Sequence, residues 1–71
     1  MPKLPRLSGA EVVAGLTRLG FRQVRQKGSH VAMRREHTPC IVPLHRELKT
    51  GTLAGILRQA GITIEDLQNV L

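Results

Sequence analysis

The chain has 71 residues, 41% of them hydrophobic, and 11 Lys and Arg against 5 Asp and Glu give a formal charge of +6. That length allows one domain at most, and the apolar content is that of a folding chain rather than a disordered tail. No stretch approaches the roughly 18 apolar residues that cross a bilayer, Pro2, Pro5 and Glu11 interrupt the start where a signal peptide needs an apolar run, and the lone Cys40 makes neither a disulfide nor a Cys-x-x-Cys pair, so the expectation is a single cytoplasmic domain, 1–71, with no membrane partner.

The first element is a helix. Ser8 followed three residues later by Glu11 is a capping box, in which hydroxyl and carboxylate each take a backbone N–H, and it places the helix start at Gly9. Val12, Leu16 and Leu19 form one apolar stripe with Arg18 off it. Gly20 is the left-handed residue that ends the helix, with Phe21 folding back on Leu16. Leu57 to Ile62 repeats the pattern of Leu16 to Phe21, so two helices are expected to end by the same device.

Between them the period changes to that of strands. Phe21–Gln26 and His30–Arg35 flank Lys27-Gly28-Ser29 and read as a hairpin. Glu36 to Pro39 reads as a second turn, and Cys40-Ile41-Val42 with Pro43-Leu44 as a third strand whose proline belongs at a strand end or a sheet edge. After a polar loop from His45 to Lys49, Leu53, Ile56, Leu57 and Ala60 mark a second helix beginning near Thr50 or Gly51. Thr63 with Asp66 caps a short third helix carrying Ile64, Leu67, Val70 and Leu71. The expected fold class is α+β: helix, three-stranded antiparallel sheet, helix, and a short C-terminal helix, with the helices on one sheet face. Burying Val31 and Met33 then leaves His30, Ala32 and Arg34 on the open face.

Charge is segregated along this plan. Residues 1–35 hold eight bases and one acid, whereas residues 36–71 hold three bases and four acids. Arg18, Arg22, Arg25, Lys27, Arg34 and Arg35 follow one another with no acid between them, a positive field suited to phosphate. His30, at the mouth of the Lys27-Gly28-Ser29 turn, carries an imidazole that can take a proton from a ribose 2′-hydroxyl near neutral pH. Lys27 or Arg34 would then stabilise charge on the attacked phosphoryl group, and Gly28 would let backbone approach it. The plainer alternative is a histidine that merely follows a turn on a polar face.

The remaining candidates read more simply. His37, Cys40 and His45 lack the spacing of a zinc site, so no metal is assigned. Cys40 in an apolar strand reads as a small core residue, and His45 as a surface histidine that ranks second to His30 as an acid or base. Thr50-Gly51-Thr52 at a helix start is explained by capping rather than by phosphate binding. Phe21, the one aromatic residue, rules out an aromatic stacking platform, so RNA contact is expected at backbone and 2′-hydroxyl.

Gly28-Ser29-His30 after a basic residue, then Val42-Pro43-Leu44-His45, then Glu47 to Leu53 and Ile56-Leu57-Arg58-Gln59-Ala60-Gly61-Ile62, resembles the HicA (YcfA-like) toxins of toxin–antitoxin systems. The resemblance spans nearly the whole chain. It implies a fold similar to the double-stranded RNA-binding domain, cleavage of mRNA without a cofactor, and neutralisation by a HicB-like antitoxin. It also implies that the essential histidine falls on His30, with Gly28 and Ser29 as its turn. The candidate set is therefore His30 as the catalytic group and Arg25, Lys27, Gly28, Ser29 and Arg34 as RNA-binding residues. An RNA-binding module without chemistry, or a basic face that meets an acidic protein, are the competing classes.

Overall fold

The structure, a computed structural model, describes residues 4–71, so Pro2 lies outside it. In chain order it contains α1 (Gly9–Arg18), β1 (Arg22–Lys27), β2 (His30–Arg35), β3 (Thr38–Pro43), α2 (Thr50–Ala60) and α3 (Ile64–Gln68). The strands form one antiparallel sheet in the order β1-β2-β3, which is the expected α+β, double-stranded-RNA-binding-domain-like arrangement.

Local chemistry sets the helix ends. The Ser8 hydroxyl accepts from the Glu11 N–H at 3.0 Å, and the Glu11 carboxylate accepts from the Ser8 N–H at 2.9 Å. At the other end of α1, Phe21 N–H donates to the Leu16 carbonyl at 2.9 Å and Gly20 N–H to that of Thr17 at 3.1 Å. α2 closes identically, with Ile62 N–H on the Leu57 carbonyl at 3.2 Å and Gly61 N–H on that of Arg58 at 3.3 Å. In both places a glycine at positive φ turns the chain and drops an apolar residue back onto its helix. Thr63 and Asp66 form the expected box on α3.

Val31 and Met33 of β2 and Cys40 and Val42 of β3 point to one side. There they join Val12, Leu16 and Phe21 from the α1 region, Leu53, Ile56 and Leu57 from α2, and Leu67 from α3 in a single core. Gly9 N–H donates to the His45 carbonyl at 2.9 Å, tying the first residue of α1 to the chain leaving β3.

Four details depart from the sequence expectation. The second turn is only Glu36-His37, with Glu36 at φ 56, and β3 starts at Thr38, so Pro39 lies inside the strand. A sheet edge tolerates this because the amide position of Pro39 faces away from β2, as do those of Ile41 and Pro43. The first strand runs Arg22–Lys27, one residue later at each end than the expected Phe21–Gln26, and every residue of it is exposed, because the helices cover β2 and β3 and leave this edge strand projecting. α2 begins without a threonine cap: Lys49 is the N-cap residue and makes no side-chain hydrogen bond. Finally α3 stops at Gln68, leaving Val70 half-buried and Leu71 exposed.

A methyl group at Gly9 would overlap the Pro43 carbonyl oxygen and lie 2.8 Å from the Leu44 Cα, both backbone and unable to yield. Gly9→Ala is therefore expected to destabilise the protein by about 1–3 kcal/mol, read as a lower urea midpoint. An unchanged midpoint would contradict this packing. Leu53→Ala, which empties a fully buried site, is expected to cost about 2–5 kcal/mol and to leave so small a domain largely unfolded by circular dichroism.

Candidate functional site

The open face of the sheet is built by the alternation of β2 and by one irregularity in β1. His30, Ala32 and Arg34 alternate with the buried Val31 and Met33. Lys27 pairs with His30 and Arg25 with Ala32, but the next pairs are Gln23 with Met33 and Arg22 with Arg34, so Val24 is inserted as a bulge. One extra residue moves everything beyond it to the opposite face. Arg22, Arg25 and Lys27 consequently share the open face, while Gln23 and Gln26 share the other, where their side chains hydrogen-bond at 3.3 Å. Without the bulge Arg22 would point with Gln26 toward the helical side.

The hairpin closes through Gly28 and Ser29. Gly28 has φ +59, which suits the first position of a two-residue turn, and no atom of the described residues lies within 4 Å of where a Cβ would stand. The Ser29 carbonyl accepts from Leu44 N–H at 2.6 Å, so the turn is pinned to the end of β3. Lys27 stands directly across from His30 on one side, and Pro43 on the other.

These elements enclose a shallow cavity of about 640 Å³ lined by Arg25, Lys27, Gly28, His30, Ala32 and Ile41, a volume within the range of small-ligand sites. Its cationic side chains come from β1, and among the described residues no carboxylate lines it. Of the six cations from Arg18 to Arg35, two are engaged in the fold: Arg18 donates to the Val70 carbonyl, and Arg35 donates to the Leu19 carbonyl at 2.9 Å with its guanidinium 4.7 Å from the Phe21 ring centroid. The other four, Arg22, Arg25, Lys27 and Arg34, form the charged surface of the open face.

The expected site residues are thus mostly brought together. Arg25, Lys27, Gly28 and His30 line one cavity, and Ser29 completes the turn beside it. Arg34 shares the face but lies four residues along β2 from His30, about 13 Å at the rise of a strand, and it does not line the cavity. Sequence reasoning missed Arg22, whose orientation depends on the bulge, and Ile41, which pairs with Ala32 and is 48% exposed. Ile41 was legible in principle, since Cys40 and Val42 point inward on either side of it.

Elsewhere, His45 is exposed in the loop after β3. Among the described residues no three His, Cys, Asp or Glu side chains stand close enough to hold a metal ion, and His37, Cys40 and His45 do not converge.

Two comparisons with known proteins bear on this arrangement. The family model described as HicA toxin of bacterial toxin-antitoxin matches residues 9–62, from the first residue of α1 to the residue after the α2 cap, and so includes the whole sheet. No curated protein matches the chain.

Burial pushes the Cys40 thiol up from its ordinary value of 9.0 and keeps it protonated and inert. Cys40 is therefore expected to react with an alkylating reagent only as fast as the protein opens, and rapidly in urea. Fast labelling of the folded protein would show that β3 does not face the core.

Proposed function

The chain belongs to the HicA toxin family, and from that premise we propose that this toxin is an mRNA interferase, a metal-independent RNA endonuclease whose catalytic group is His30. The observation that supports this reading best is the placement of His30. It is exposed at the start of β2, directly across from Lys27 and in the same cavity as Arg25, which no carboxylate among the described residues lines.

In the proposed reaction the His30 imidazole takes the proton of a ribose 2′-hydroxyl and the 2′-oxygen bonds to the adjacent phosphorus. The bond from phosphorus to the 5′-oxygen of the next nucleotide breaks, and that oxygen takes a proton from water or from Lys27. The products are a 2′,3′-cyclic phosphate and a 5′-hydroxyl, so atoms and charge balance without a cofactor. Lys27 stabilises the charge that builds on the phosphoryl oxygens, and Gly28, with open space in place of a side chain, lets that group approach the turn. Ser29 holds the turn in place through Leu44, while Arg25 and Arg34 take neighbouring phosphates along the strand.

A toxin of this family has an antitoxin partner, for which we propose a HicB-like protein that covers the cationic face with acidic residues. mRNA and antitoxin would both be met in the cytoplasm. Charge complementarity of this kind makes association salt-sensitive, and an antitoxin complex that still cleaves RNA at the free rate would contradict the proposal.

The direct test incubates the protein and its His30→Ala variant with a defined mRNA in EDTA and maps the ends produced. Wild-type protein is expected to cleave and to leave 2′,3′-cyclic phosphates. His30→Ala should lose at least about a hundredfold in rate while keeping most of its RNA affinity. Equal, salt-dependent RNA binding by both with cleavage by neither would instead identify an RNA-binding module without chemistry.

A further inference from the structure

We propose that the floor formed by Ala32 and Ile41 is a site for one unpaired nucleobase, and that the RNA taken by this face is single-stranded at the point of contact. This inference rests on the RNA reading above and names the form of RNA that the same face accepts.

The open face is not uniformly polar. Ala32 and Ile41 lie opposite each other on β2 and β3 at the bottom of the cavity, with cationic residues of β1 along one side and His30 at one end. Ile41 is 48% exposed, although its strand neighbours Cys40 and Val42 are fully buried. Its backbone N–H donates to the Gln59 carboxamide of α2 at 3.1 Å, which ties this stretch of the β3 main chain to the helical layer. An exposed aliphatic side chain beside cations suits a ligand with an apolar flat surface and attached negative charge. A nucleotide has that composition: the base lies on the aliphatic floor, its phosphate reaches Lys27, and the planar guanidinium of Arg25 can cover the base from above.

A duplex does not meet this geometry. In A-form RNA the bases are stacked and paired inside the helix, and a protein surface meets mainly sugars and phosphates. A cavity with an aliphatic floor takes a base only when that base is unstacked. Charge alone would favour the opposite partner, since a duplex presents denser phosphate than a single strand. Preference for the single strand therefore reports on the floor rather than on the cations.

The test uses the full chain carrying His30→Ala, so that RNA is bound and not cut, with a fluorescent oligoribonucleotide offered either alone or annealed to its complement. Anisotropy is expected to show the single strand bound at least about tenfold more tightly than the duplex. Ile41→Asp in the same background should bring that ratio close to one, and Ile41→Thr, which keeps the branched side chain that suits a strand, should reduce it partway. Circular dichroism confirms that each variant folds. Equal affinity for the two RNAs, or a ratio unmoved by both substitutions, would overturn the proposal. Cleavage by the chain with native His30, assayed separately, distinguishes failure of the base site from failure of the endonuclease reading.

Discussion

The two-residue period of β2 decides which side chains this sheet buries and which it presents to solvent. It is the central strand, bonded on both sides, and one of its faces lies under α1 and α2. Burial of Val31 and Met33 costs nothing in polar groups, whereas a slip of one residue would force His30 and Arg34 into the core. The position of His30 on the open face is therefore enforced by apolar packing on the opposite one. The same packing aligns Ala32 with it, and pairing with β1 and β3 carries Lys27 and Ile41 to the same place.

The two edges of the sheet are treated differently. On β3, Pro39 and Pro43 have no N–H to offer at outward-facing positions, and the one between them, on Ile41, is taken by Gln59. That edge is closed to strand pairing. β1 instead carries Arg22, Arg25 and Lys27, and the Val24 bulge adds twist while turning Arg22 onto the open face. Like charges on this strand oppose pairing with a second copy of itself, and they concentrate positive potential beside the hairpin turn. One device thus protects an edge and assembles a charged surface.

Much of the scaffold was legible in the residues because it is written in local chemistry. Ser8 with Glu11, Thr63 with Asp66, and the paired glycine endings at Gly20 and Gly61 each announce a helix boundary through hydrogen bonds made within a few residues. The turn at Gly28 and the alternation of β2 are local in the same sense, and they placed His30 and Lys27 together. What escaped depends on tertiary context. No composition signal distinguishes Val24 as a bulge from Val24 as an ordinary strand residue, so the shared face of Arg22 and Arg25 was hidden. The turn at Glu36-His37 has neither glycine nor asparagine at its positive φ, and the exposure of β1 depends on how far the helices reach across the sheet. The assignment of Arg34 to the face was correct in register, while its separation from the cavity is a matter of strand rise.

Mapping of backbone amide shifts when a short single-stranded RNA is added to the His30→Ala protein tests whether the open face of the sheet takes RNA. Shifts are expected to concentrate in Arg25, Lys27, Gly28, Ser29, Ala32 and Ile41, with the exposed faces of α1 and α2 unmoved. Shifts centred on those helices, with the hairpin and β3 silent, would contradict it.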